Sequence, residues 1–176
     1  LQGVDLNRNN APYWSTSPNR SSSDNRSLVH HGQAAASEPE IQALDVAAQL
    51  GPIEQLAIYT DVHSFSQVNF WVRNSNARLA QQTAKVLQTF SGHHFGFPAH
   101  KWYSVTSVVQ AVINAGIGST DEYFTHVYQV PAWTLEVEPG NNAAADYGGL
   151  ARNGHDGFIL PESQIARVRS QLALTF

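Results

Sequence analysis

The spacing of apolar residues along the chain predicts four helices. A regular pattern at roughly 75–90 places apolar side chains on one helical face. An earlier helix begins at Ser37-Glu38-Pro39-Glu40, with its serine as the predicted N-cap and its proline in the first turn, and Gly51-Pro52 ends it. A short helix is predicted from Thr120, and a closing amphipathic helix from Pro161-Glu162.

Strands are predicted where apolar and β-branched residues cluster or alternate. The run at 56–62 is typical of a buried strand, and the alternation over 132–138 predicts another. Residues 1–8 are predicted as a short extended segment and 10–36 as a long polar loop, whereas 103–113 fits a helix or a strand. Helices that alternate with short strands predict an α/β layered domain.

Composition narrows the classes of function. The 176 residues suffice for one domain with a sizeable core. The net charge of −4 gives no basic footprint for nucleic acid, and no apolar run approaches the roughly 18 residues of a membrane span, so we expect neither partner. The chain has no cysteine, which removes disulfides and thiolate chemistry.

His63 is the first candidate for chemistry. It stands at the carboxyl end of the predicted strand at 56–62, where α/β proteins commonly build their sites. A neutral imidazole there can bind a metal ion. A lone histidine that hydrogen-bonds at a strand end explains the same pattern, so this residue alone leaves both interpretations open.

Two further segments carry candidate groups. The guanidinium of Arg8 is a planar fork that matches a carboxylate, and the neighbouring Asn7 adds a neutral donor. Glu136 alternates with apolar neighbours and therefore points to the opposite face of its strand, where a cleft would make its carboxylate a general base. A surface arginine in a turn and a solvated strand glutamate are the alternatives.

Seven motifs follow one another along the chain: Gly3 to Asn9, His31-Gly32, Ser37 to Glu40, Asp61 to Gln67, Gly118 to Asp121, Thr134 to Val137 and Gly157 to Ile165. Together and in this order they resemble the zinc metallocarboxypeptidases of the carboxypeptidase A/B type. The resemblance covers nearly the whole chain. It implies an α/β fold with a twisted mixed β-sheet, helices on both faces and the site at the carboxyl ends of the strands.

The resemblance also implies catalytic roles. Asn7 and Arg8 would bind the C-terminal carboxylate of a peptide or protein substrate, and His63 would be a zinc ligand. Glu136 would activate the zinc-bound water as a general base and then protonate the leaving amine. This chemistry is coherent, because zinc lowers the pKa of a bound water to about 7 and a nearby carboxylate can take the proton.

Substrate pockets follow from the same resemblance. Ser64 and Phe65 would line the subsite before the scissile bond, and Ala115, Thr120 and Thr134 would line the pocket for the terminal side chain. Relatives that prefer lysine or arginine carry an acidic residue where this chain has a threonine at 120. We therefore expect a neutral or apolar terminal residue.

The chain departs from the family in its metal ligands. The family's other two ligands form a His-x-x-Glu motif upstream of the Asn-Arg segment, and these residues contain no such motif. The pairs His30-His31 and His93-His94 are interpreted as polar surface or loop residues. We therefore expect residues 1–176 to be the C-terminal part of a single catalytic domain, with the remaining ligands upstream of Leu1 and no activity without that N-terminal part.

A second departure concerns a flexible tyrosine that the family places a few residues before its Gly-Ser-x-Asp turn. Ile113 stands at that position, and no tyrosine of this chain has the matching offset. A tyrosine contact to the substrate is therefore not expected from this position.

Three functions remain in view. The first is a zinc peptidase that hydrolyses the C-terminal peptide bond, and the second is an amidase of the same superfold that acts on N-acyl amino acids. The third is a non-catalytic relative that binds peptide C-termini through Arg8. The presence of Glu136 favours hydrolysis, because a pure binder has no chemical need for this carboxylate. We expect a secreted or periplasmic protein, although the sequence does not decide the compartment.

Overall fold

The computed structural model describes residues 3–64, 68–71, 76–92, 104–107, 116–137 and 162–175. The helices there are α1 (Pro39–Ala48), α2 (Ala77–Gly92), α3 (Thr120–Tyr123) and α4 (Glu162–Thr175). The strands are β1 (Tyr59–Ser64), β2 (Val68–Trp71), β3 (Ser104–Ser107) and β4 (Ala132–Val137). Short 3-10 turns occupy Leu6–Arg8 and Ile53–Gln55, and a π-helical turn over Phe124–Tyr128 continues α3.

The strands of the described residues form one sheet in the order β1-β4-β2-β3. At the start of β1, the N–H of Tyr59 donates to the carbonyl oxygen of Pro131, the residue before β4, at 2.9 Å. Because the two strands begin side by side, they run parallel, and Tyr59 pairs with Ala132. Counted along both strands in that register, His63 stands level with Glu136.

The described residues fall into two compact units. The first takes its residues from Leu1–Asp61, Trp71–Thr83 and Ser107–Trp133, and the second from Val62–Phe70, Ala84–Thr106 and Thr134–Phe176. Asn7, Arg8 and Thr120 therefore belong to the first unit. His63 and Glu136 belong to the second.

An aromatic cluster forms a core of the first unit. The rings of Tyr59 and Phe124 stack at 3.8 Å between centroids, and the ring of Tyr128 stacks on Phe124 at 5.0 Å. Val130 and Ala132 complete the buried cluster. The presence of Tyr59 and Ala132 in one cluster agrees with their pairing across β1 and β4.

Several predicted elements are confirmed. The helix at 75–90 is α2, which buries Leu79, Thr83 and Leu87 at the predicted spacing. The strand over 132–138 is β4, and the closing helix is α4. The 10–36 segment contains no helix or strand in the described structure, apart from an isolated bridge between Ser22 and His30.

The predicted cap of α1 was wrong. The N-cap is Glu38, and the hydroxyl of Ser37 instead donates to the carboxylate of Glu38 at 2.6 Å and accepts from Nδ2 of Asn9 at 3.0 Å. The helix begins at Pro39, so it is the carbonyl oxygen of Glu38 that accepts the first helical N–H groups, those of Ile41 and Gln42. The helix ends at Ala48, short of Leu50, which is exposed.

Other boundaries moved as well. Leu6–Arg8 forms a 3-10 turn where an extended segment was predicted, and the strand predicted at 56–62 runs from Tyr59 to Ser64. Ser104–Ser107 forms a strand within the ambiguous 103–113 segment, and Val68–Trp71 is a strand that the pattern did not predict.

None of the helices in the described ranges has the length and apolar content needed to cross a membrane.

Candidate functional site

The two residues predicted to bind a carboxylate lie on the first 3-10 turn. Asp5 caps this turn: its Oδ1 accepts from the N–H of Asn7 at 3.0 Å, and its carbonyl oxygen accepts from the N–H of Arg8 at 2.9 Å. The N–H of Asp5 donates to the carbonyl oxygen of His30 at 2.8 Å. An aspartate that satisfies the N–H groups following it favours a tight turn, so the local sequence Asp-Leu-Asn-Arg explains this geometry.

Backbone carbonyl oxygens hold the guanidinium of Arg8 through its Nε and Nη1 atoms. Its Nε donates to the carbonyl oxygen of Arg20 at 2.7 Å, and its Nη1 donates to that of Asn7 at 2.9 Å. The carboxylate of Asp5 lies 3.6 Å from Nη1, and the side chain is 14% exposed. Among the described residues, Nη2 has no hydrogen-bond partner, so this end of the guanidinium can donate to a bound carboxylate.

The side-chain amide of Asn7 is oriented by Thr120. The N–H of Thr120 donates to Oδ1 of Asn7 at 3.3 Å. Because Oδ1 is the acceptor in this bond, the donor Nδ2 is left for another group, and within the described ranges it has no partner. The structure thus brings together two of the predicted site residues.

Two buried asparagines fix the chain that follows Arg8. Nδ2 of Asn9 donates to the carbonyl oxygen of His31 at 2.8 Å, and its Oδ1 accepts from the N–H of Glu38 at 3.2 Å. Asn10 donates through its backbone N–H at 3.0 Å and through Nδ2 at 3.2 Å to the carbonyl oxygen of Gly118. Buried polar groups that are paired in this way stabilise one conformation of a loop.

Glu122 is a residue of the first unit that the sequence analysis missed. It is fully buried, and its carboxylate accepts the N–H groups of four consecutive residues: Gly116, Ile117 at 3.0 Å, Gly118 at 2.9 Å and Ser119 at 3.1 Å. The available signal was the capping-box spacing, in which a serine N-cap is followed three residues later by glutamate.

His63 and Glu136 are the candidate pair of the second unit. The register of β1 and β4 places them opposite each other, and opposite residues of neighbouring strands lie about 4.8 Å apart with side chains on the same face. Both residues are half-buried, and the Oε2 atom of Glu136 is itself buried. An imidazole and a partly desolvated carboxylate therefore share one face of the sheet.

The pocket candidates on these strands divide between the two faces. Thr134 lies two positions before Glu136 and therefore shares its face. It is 1% exposed, and its Oγ1 has no hydrogen-bond partner in the part of the chain that the structure describes. Ser64 directly follows His63 on β1, so its side chain leaves the strand on the opposite face.

Phe65, Ala115 and Ile113 lie outside the described residues. The roles that the resemblance implies for the first two, and the substitution of the family tyrosine at the third, therefore stay predictions.

The histidine pair at 30–31 lies in a loop, one of the two predicted settings, and both residues are buried there. Nδ1 of His31 lies 2.7 Å from Oγ of Ser21, and Nδ1 of His30 lies 3.1 Å from the carbonyl oxygen of Ser22. Burial lowers the pKa of His31, and the neighbouring His30 lowers it further. His93-His94 lies outside the described residues.

The described residues contain no complete metal site. Nowhere in the described ranges do three histidine, aspartate or glutamate side chains gather closely enough to hold a metal ion. Catalytic zinc uses three protein ligands and keeps an open position. His63 fits one of these ligands, since it is a strand-end histidine with a carboxylate opposite it.

The comparison with protein families decides the affiliation of the chain. The family model described as zinc carboxypeptidase matches residues 1–174. The chain belongs to the zinc carboxypeptidase family. That family is one of zinc-dependent hydrolases that act as proteases. No curated protein matches it in sequence.

Solved structures confirm the predicted fold class. Bovine thrombin-activatable fibrinolysis inhibitor, in complex with tick carboxypeptidase inhibitor, matches with a TM-score of 0.75 and 23% identity, over 98% of this chain and 54% of its own. A further structure of thrombin-activatable fibrinolysis inhibitor matches with a TM-score of 0.68 and 21% identity, over 98% of this chain and 40% of its own. Carboxypeptidase A from Helicoverpa armigera matches with a TM-score of 0.68 and 26% identity, over 99% of this chain and 40% of its own. The fold is the mixed sheet with helices of the carboxypeptidases, and this chain spans about half or less of each neighbour.

Proposed function

We propose that this protein is a zinc-dependent metallocarboxypeptidase that hydrolyses the C-terminal peptide bond of peptides. Membership of the zinc carboxypeptidase family supports the class of reaction. The observation that supports the mechanism most directly is the register of β1 and β4, in which His63 and Glu136 stand level on one face. That arrangement suits a metal ligand with a proton acceptor beside it.

Exopeptidase action requires recognition of the free C-terminus, and the Asn7–Arg8 pair is proposed for this role. The Nη2 edge of Arg8 and the Nδ2 of Asn7 are the donors that the surrounding hydrogen bonds leave available. A guanidinium bound to a carboxylate forms charge-assisted hydrogen bonds that a C-terminal carboxamide cannot replace. The pair would therefore select chain ends over internal peptide bonds.

Glu136 is proposed as the general base and acid. The buried Oε2 keeps this carboxylate partly away from water, which favours proton transfer to and from a reacting group over simple solvation. It would accept a proton from the attacking water and deliver a proton to the leaving amine.

His63 is proposed as one zinc ligand. Zinc, when bound, polarises the scissile carbonyl and makes water more acidic. Because the described residues hold no group of three ligands, the remaining ligands are proposed to come from a His-x-x-Glu segment upstream of Leu1. Residues 1–176 would then be the C-terminal part of one catalytic domain and would be inactive alone.

The substrate pocket is proposed to include Thr120 and Thr134, together with Ala115, while Ser64 and Phe65 would line the preceding subsite. The two threonines are uncharged and buried, which suits a neutral terminal side chain. We propose a secreted or periplasmic compartment.

Hydrolysis by the full-length, zinc-loaded protein tests this function. The substrates are an N-acylated dipeptide with a free C-terminus, its C-terminal carboxamide and an N-acyl amino acid. We expect release of the terminal amino acid from the first substrate only. Preferred cleavage of the N-acyl amino acid would instead support the amidase. Binding of the free acid without cleavage would support a non-catalytic relative.

A further inference from the structure

We infer that Glu122 is a positioning residue for the Asn7–Arg8 pair. The inference rests on the proposed function in one respect: that this pair binds the carboxylate of a peptide. Glu122 itself is fully buried, and within the part of the chain that the structure describes none of its hydrogen bonds joins it to either residue of the pair. Its influence passes through the turn that it holds, Gly116 to Ser119, called the 116–119 turn below.

The carboxylate of Glu122 determines the shape of the 116–119 turn. Four consecutive N–H groups converge on its two oxygens, and three of them share Oε2. Gly116 and Gly118 have φ values of +69° and +82°, a region that favours glycine. Backbone N–H groups gathered in this way form an anion-binding concavity, and here the anion is a side chain of the same protein.

The 116–119 turn touches the site at two points. At the first, a Cβ on Gly118 would lie 2.8 Å from the carbonyl oxygen of Asn10 and 2.9 Å from that of Arg8, so the turn packs directly on the backbone of Arg8 and Asn10. At the second, the residue after the turn, Thr120, donates its N–H to Oδ1 of Asn7. This bond fixes which end of the Asn7 amide remains available as a donor.

A carboxylate is the side-chain group that meets this demand. It accepts hydrogen bonds at about four positions and donates none, whereas a glutamine amide presents an NH₂ donor to N–H groups that are themselves donors. Glu122→Gln would therefore release part of the turn, and with it the orientation of Asn7. Glu122→Asp keeps the charge but shortens the side chain, so it should hold the turn less well than glutamate and better than glutamine.

The test measures how strongly the protein prefers a carboxylate over a carboxamide. Two peptides are used in which a ketomethylene unit replaces the last peptide bond, one ending in a carboxylate and the other in a carboxamide. Isothermal titration calorimetry with the full-length, zinc-loaded protein gives both Kd values. The Kd of the carboxamide divided by the Kd of the carboxylate is the acid preference. We expect Glu122→Gln to lower this ratio about tenfold, the scale of one lost charge-assisted hydrogen bond, and Glu122→Asp to lower it less.

The ratio separates positioning from stability. A variant that is merely less folded loses affinity for both peptides equally and leaves the acid preference unchanged. Asp45→Asn is the matched control, because it also converts a carboxylate of the first unit into an amide. The carboxylate of Asp45 accepts from the hydroxyl groups of Tyr123 at 2.5 Å and Tyr128 at 2.6 Å. We expect its acid preference to equal that of the wild type.

A double-mutant cycle tests the route through Asn7. If Glu122 acts by orienting this amide, the Asn7→Ala/Glu122→Gln protein keeps the acid preference of Asn7→Ala alone. Additive losses would overturn the route through Asn7 and leave the packing on Arg8 as the means of positioning. An unchanged preference in Glu122→Gln would overturn the inference, and so would a wild type without any acid preference. If Glu122→Gln does not fold, the acid preference of Glu122→Asp is used for the same test, and an unchanged value would overturn the inference. A wild type that prefers the acid but does not cleave peptides contradicts the proposed function alone.

Discussion

The N–H of Thr120 donates to Oδ1 of Asn7, although 113 residues separate them in sequence. This bond joins a pocket candidate to a residue proposed to bind the substrate carboxylate. It means that the terminal side chain and the terminal carboxylate of a substrate would be recognised by parts of one connected loop network, rather than by independent surfaces.

Removal of the Arg8 guanidinium should weaken recognition of free C-termini. We expect Arg8→Ala to lower kcat/KM for a free-acid peptide about 100-fold, because the lost charge-assisted contacts contribute about 1.5–3 kcal/mol. The measurement is steady-state hydrolysis by the full-length protein. Arg26→Ala is the control, since Arg26 is 83% exposed and pairs only with Asp24 among the described residues. Equal losses in both variants would contradict the assignment.

Glu136→Gln should reduce turnover without loss of metal. The amide keeps the size of the side chain but cannot accept a proton, so we expect kcat to fall about 10²- to 10⁴-fold. Zinc content, measured by atomic absorption, should stay at the wild-type value. Glu162→Gln, at the exposed first residue of α4, should leave kcat unchanged. Unaltered turnover in Glu136→Gln would remove the proposed general base.

His63→Ala should lower the zinc content of the purified full-length protein. Loss of one of three ligands weakens binding because catalytic zinc sites have no spare protein ligand. His93→Ala is the comparison, since the sequence analysis leaves this histidine out of the ligand set, and it should retain zinc. A His63→Ala protein with a full complement of zinc would exclude this residue as a ligand.

Acid should destabilise the first unit through its histidines. Burial lowers the pKa of His126, an effect that the charge of Glu122 partly opposes, and burial together with His30 lowers that of His31. The folded state thus favours the neutral imidazoles, so the unfolded chain binds more protons than the folded chain as the pH falls below about 6.5. These groups therefore leave the free energy of unfolding unchanged above that pH and lower it below.

Urea unfolding on both sides of pH 6.5 measures this decline. We expect the free energy of unfolding to fall less steeply with acid in His126→Gln than in the wild type. Identical slopes would show that His126 does not take up a proton on unfolding.

Long periodic patterns made part of the fold predictable. The helix Ala77–Gly92 and the strand Ala132–Val137 each repeat their apolar positions often enough to fix both type and approximate bounds. The motif order was equally informative, because it predicted the family that the comparison confirmed.

Short elements and buried polar contacts could not be predicted in the same way. The strand Val68–Trp71 has four residues, too few for a distinct period. The hydroxyl of Ser37, the predicted cap, accepts instead from Nδ2 of Asn9, a residue 28 positions earlier that no local pattern connects with it. The importance of Glu122 depends on four backbone N–H groups that turn toward it only in the folded chain.

The location of bound zinc tests the account most directly. Crystals of the full-length protein, measured on both sides of the zinc absorption edge, give an anomalous difference peak at the metal. The account predicts a peak about 2.0–2.1 Å from a ring nitrogen of His63, on the face of the sheet that carries Glu136. A peak at another set of ligands, with His63 and Glu136 facing away from it, would contradict the account.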